Sequence, residues 1–113
     1  MEASLRIGQT VYPVRFGMAA LLEYERKTGQ SAITDFQQMQ GGEVRISVMV
    51  DLVMAGLICG AKTNGLKLDI HEYDVADALG DQQTSEAMMK AFADSFPQPD
   101  SNEVDEKKTK AKK

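Results

Sequence analysis

Apolar and polar residues alternate over Leu5–Ile7 and again over Val11–Phe16, on either side of the polar turn Gly8-Gln9-Thr10. This period of two predicts a pair of short strands, with Leu5 and Ile7 on one face of the first and Tyr12, Val14 and Phe16 on one face of the second. Pro13 has no N–H to give to a ladder, which places its strand at a sheet edge. The spacing then lengthens to three and four residues and predicts a helix over Met18–Thr28. Gly17 stands as its N-cap, and Gly29 as a left-handed stop. Met18, Leu21, Leu22 and Tyr24 are expected to face inward, and Glu23 and Lys27 to pair outward at i,i+4.

Four more helices follow. Ser31 can cap a short one over Ala32–Gln40, anchored by Ile33 and Phe36 and ended by Gly41-Gly42. The main helix is expected over Val44–Lys62, apolar nearly all round, with a thin polar strip of Ser47, Asp51 and Lys62, and Asn64-Gly65 ends it. Such a helix is either central to a core or shared with a partner. Asp69 followed by Glu72 resembles a capping box opening a helix over Ile70–Leu79, burying Ile70, Tyr73, Ala76 and Leu79, with Gly80 closing it. Thr84 can cap a last helix over Ser85–Phe96, in which Met88, Phe92 and Phe96 repeat every four residues. Pro97 and Pro99 open a polar tail whose one sizeable apolar residue is Val104, too little to order itself. The expected architecture is mainly α: a two-stranded N-terminal hairpin packed on a bundle of four to five helices in residues 1–96, followed by a disordered tail in 97–113.

Composition narrows the function classes. At 113 residues the chain fits one domain, large enough for a single core without staples. One cysteine excludes an internal disulfide framework and fits a reducing compartment. No basic-then-apolar signal segment opens the chain. The apolar stretch Val48–Ala61 is interrupted by Asp51, and its length argues against a membrane span. The expected setting is cytoplasmic. The chain carries 13 Lys and Arg against 17 Asp and Glu. Residues 97–113 hold five lysines and four acids, which leaves the body with 8 basic against 13 acidic residues, a net of −5. A body that negative repels a phosphate backbone, so nucleic acid is not an expected partner.

Little here suggests catalysis. Cys59 and His71 are the one pair that could serve a nucleophilic site, but Cys59 lies mid-helix in the most apolar segment. His71 falls among carboxylates in a first helical turn, and no third orienting residue is recognisable. The acids Asp69, Glu72, Asp74, Asp77 and Asp81 lack the alternation and central glycine of a calcium loop and read as a solvated face. No glycine cluster has the form of a phosphate loop. Hence no catalytic residue, cofactor or metal is expected. Gly56 and Gly60, four apart on the main helix, suggest close helix–helix approach within the fold or across subunits. Most of the seven methionines are core by default, yet Met54 and Ile58 extend the strip that should face water. A methionine-containing patch adapts well to a protein partner. The candidate partner-binding residues are therefore Asp51, Met54, Ile58 and Lys62.

The run YPVRFGMAALLEYERKTGQS, followed by VMVDLVMAGLICGA, resembles the tail assembly chaperones of long-tailed bacteriophages and prophages. The matching positions are Ile7, Tyr12, Val14, Arg15, Phe16, Ala20, Glu23, Glu25, Thr28, Gly29, Ser31, Asp51, Leu52, Val53, Ala55, Gly56 and Leu57, and the likeness spans about residues 5–96. The resemblance implies a non-enzymatic factor of the bacterial host cytoplasm that is absent from the mature virion. It would coat the tape measure protein, keep its apolar helices from aggregating and recruit the tail tube protein, with self-association a further expectation. The alternative is a structural tail component retained in the virion. Tail tube and connector subunits are usually β-rich, and this chain has few strand-like runs.

Overall fold

A computed structural model describes residues 2–95 and bears out the mainly helical architecture with an N-terminal antiparallel hairpin. Strands β1 (Glu2–Ile7) and β2 (Thr10–Arg15) are followed by helices α1 (Met18–Thr28), α2 (Ala32–Gln40), α3 (Ile46–Thr63), α4 (Glu72–Leu79) and α5 (Gln82–Asp94). The predicted ends at Phe96 and Pro97, and the polar stretch 97–113, lie outside the described residues.

The hairpin closes through a two-residue turn, Gly8-Gln9, with Ile7 opposite Thr10 and Leu5 opposite Tyr12. Gly8 takes a φ of 63°, which glycine adopts without steric penalty. Alternation from the hydrogen-bonded closing pair makes Ser4 and Pro13 a non-hydrogen-bonded pair, so the missing Pro13 N–H points away from β1. The inward face carries Leu5 and Val14, continued by Phe16, all buried.

α3 is the centre of the fold and packs against β2, α1, α2 and α4. By length and composition it would suffice to cross a membrane, with 18 residues and a mean hydropathy of 1.6, which the sequence reading did not allow; 56% of that stretch is buried inside the fold. Its glycines do not mediate the helix–helix approach expected of them. A Cβ on Gly56 would come within 2.7 Å of the Phe16 and Val14 side chains, and one on Gly60 would overlap the Pro13 carbonyl. The two glycines thus let α3 lie directly on β2. The helix ends in a Schellman arrangement: the Leu66 N–H donates to the Ala61 carbonyl (2.8 Å), the Gly65 N–H to that of Lys62 (3.3 Å), and Gly65 has a φ of 66°.

Several inward-facing residues differ from expectation. In α1 the buried arc is Ala20, Leu21 and Tyr24, whereas Met18 and Leu22 are 79% and 51% exposed. At 3.6 residues per turn those two fall roughly 110–150° from the middle of the arc. Ile33 of α2 and Tyr73 of α4 are also exposed, and Ile70 and Ala76 are half-buried; the buried residues of α4 are Val75 and Leu79. Val44 precedes α3 and is exposed. The outward Glu23–Lys27 pair is replaced by an ion pair between Lys27 Nζ and Asp51 (3.1 Å).

Two caps also move. His71, not Asp69, opens α4: its Nδ1 accepts the Tyr73 N–H (3.1 Å), and Asp74 accepts the His71 N–H (3.4 Å). Asp81 caps α5, accepting from the Thr84 N–H (3.0 Å) and hydroxyl (2.8 Å), so Thr84 is the donor rather than the cap. Ser31 caps α2 as expected through the Thr34 N–H (3.2 Å). α5 closes the core with Phe92, edge-on to Phe16 at 5.3 Å and tilted against Phe36 at 4.6 Å.

Candidate functional site

From Val50 to Ala61 every residue of α3 is buried except Asp51, Met54 and Ile58, which are half-buried. With exposed Ser47 and Lys62 they follow one another at spacings of three and four residues, forming a single strip along the helix. The strip is about 22 Å long at 1.5 Å per residue. All four candidate residues therefore lie on one face, in different settings. Asp51 is held by Lys27, their side chains 21% and 43% exposed, so its charge is compensated before any partner arrives. Lys62 stands at the far end, beside a cavity also lined by Arg15, Met18 and Cys59.

The structure adds residues that the sequence reading assigned elsewhere. At the N-terminal end of the strip, Ile46, Ser47, Val50 and Asp51 face Glu72, Tyr73 and Ala76 of α4 across a cleft of about 300 Å³. Ile46 is 62% exposed and Tyr73 72%. Tyr73 stands on the solvent side with its ring against the capping His71 at 4.6 Å, and Val75 fills the core. A second apolar hollow of about 270 Å³ brings Met39, Met49 and Met89 together with Phe36, Val44 and Ala93. No single sequence window contains these methionines; only the packing of α2, α3 and α5 unites them.

The chemistry of the remaining groups is structural. Burial pushes the Cys59 thiol above its usual range, away from the thiolate a nucleophile needs. The His71 imidazole is engaged in capping α4. The Tyr24 hydroxyl donates to buried Asp35 at 2.6 Å, and burial first, then this carboxylate, pushes the phenol well above its ordinary 10.0. Tyr24 thus remains a proton donor to the buried Asp35 carboxylate. Among the described residues no group of three or more His, Cys, Asp and Glu side chains could hold a metal ion.

No family model, curated protein or solved structure matches this chain.

Proposed function

We propose that this chain is a non-enzymatic tail assembly chaperone of the long-tailed phage type, acting in the bacterial host cytoplasm. It holds apolar helices of the tape measure protein, keeps that protein soluble and helps recruit tail tube subunits around it. The observation that carries this reading is the α3 strip: this incompletely buried face of the core helix offers Met54 and Ile58, and leads by way of Asp51 to exposed Ile46 and Tyr73. Solvent-accessible apolar side chains along one helix face, interrupted by the Lys27–Asp51 pair, are suited to a protein partner. The resemblance over residues 5–96 supplies the class of partner. Several of its motif positions, including Val14, Phe16, Ala20, Gly29 and Gly56, have packing or helix-stop roles and support the fold rather than the partner surface.

The folded body supplies the anchors, because residues 97–113 offer one apolar side chain of any size, Val104. Weak contacts repeated along a long helical partner would gain avidity without high affinity at each site. Co-expression of the full chain with the tape measure frame of the same genome tests this. The wild type should keep the partner soluble, and M54S/I58S should lose most of that effect while retaining its own melting temperature. Equal solubility with both versions, or none with either, would reject the reading. Mass spectrometry of purified particles distinguishes the chaperone from a retained tail component, which would be found in the virion.

A further inference from the structure

Resting on the partner-binding reading above, we infer that the α3–α4 cleft is a docking site for an amphipathic helix that carries lysine or arginine beside its apolar face. The cleft has an apolar floor and two projecting walls. Val50 and Ala76 lie at its base, and Ile46 and Tyr73 stand exposed on either side. An aromatic and a β-branched side chain facing each other over small neighbours can grip one aliphatic anchor from each turn of a helix.

Charge selects the occupant. The two charged groups lining the cleft are the carboxylates Asp51 and Glu72. Lys27 already compensates Asp51 on the α1 side, whereas Glu72 is exposed at the rim and no ion pair among the described residues engages it. Asp69 and Asp74 are also exposed near the start of α4, and Asp74 accepts the His71 N–H. A partner carrying acids beside its apolar stripe would meet like charge here, while one carrying Lys or Arg would place its cation against Glu72. The methionine-lined hollow between α2 and α5 lacks this selectivity: its charged residue, Lys90, is already paired with Asp94 at 2.8 Å.

Two synthetic 14-residue helical peptides test the inference, with the same leucine face and either lysine or glutamate on the opposite side. Affinity is measured by fluorescence anisotropy with the full chain, and the site is mapped by amide chemical shifts. The lysine peptide should bind at least tenfold tighter than the glutamate peptide, with the largest shifts at Ile46, Val50, Tyr73 and Ala76. Y73S should weaken it roughly tenfold, as loss of a central aromatic anchor does. E72K should weaken it about fivefold, whereas E25K, with the same change in net charge on α1, should leave it within twofold. Thermal melts confirm that each variant folds. Equal affinity for the two peptides, no binding of either, shifts centred on Met39 and Met89, or equal effects of E72K and E25K would overturn the proposal. Because no tape measure protein is present, a bound lysine peptide alongside an insoluble tape measure protein would reject the chaperone reading and leave the cleft standing.

Discussion

Gly60 of α3 lies directly against the Pro13 carbonyl of β2, with no room for a methyl group between them. The outer edge of β2, which Pro13 already withdraws from pairing, is thereby covered by a helix. G60A should lower stability by about 2 kcal/mol, because overpacking against backbone outweighs the roughly 1 kcal/mol that alanine gains over glycine within a helix. Urea unfolding measures this. An unchanged midpoint would mean that α3 and β2 do not touch there.

Tyr24 and Asp35 form the buried polar contact of the core, at 2.6 Å. Y24F would leave the carboxylate buried without its donor and should cost about 2 kcal/mol. D35N keeps an acceptor for the phenol and should cost less. The alkaline limb of stability follows from the raised phenol. Since the folded pKa lies above the unfolded one, the contribution is complete below pH 10.0 and declines as pH rises from there toward the folded value. Melts across that range should show wild type losing stability that Y24F does not lose.

D51L should alter association more than folding. The Lys27–Asp51 pair is partly solvated, so its loss should cost less than about 1 kcal/mol. The leucine would join Met54 and Ile58 into an unbroken apolar strip. Light scattering should then detect larger species at high concentration. A large fall in melting temperature with unchanged size would instead give Asp51 a structural role.

Part of the loss of stability in acid should come from the α5 cap. Hydrogen bonds from the Thr84 hydroxyl and N–H hold the Asp81 carboxyl below its ordinary 3.8. With the folded pKa depressed, the contribution is complete above the unfolded value and disappears as pH falls through the folded one. D81A should therefore be less stable than wild type at neutral pH, and the difference should shrink as acid protonates the wild-type cap. A difference independent of pH, followed by circular dichroism, would show that the charge of Asp81 plays no part.

The legible parts of the candidate site were those written on one helix. Asp51, Met54, Ile58 and Lys62 could be placed on a common strip from spacing alone, because α3 is regular from Ile46 to Thr63. The cleft was not legible. Hydrophobicity assigned Tyr73 to the core along with Leu79; Leu79 is buried, but Val75 takes the other inward place and Tyr73 faces solvent. The methionine hollow was hidden for a different reason: Met39, Met49 and Met89 belong to three helices, and no periodicity within one of them relates it to the others.

By itself the sequence determined the order and type of the elements, the ends of α1 and α2, and the turn at Gly8, because these depend on local chemistry. Examples are a glycine free to take a left-handed conformation at Gly29, or a serine hydroxyl within reach of the next turn at Ser31. Only the tertiary structure decided which arc of α1 is buried, that Lys27 reaches Asp51 rather than Glu23, and that Gly56 and Gly60 receive a hairpin instead of a helix. The physical reason is that burial and charge pairing are properties of what lies opposite a residue. In a chain of short helices, the opposite surface comes from a distant segment whose position no local pattern specifies.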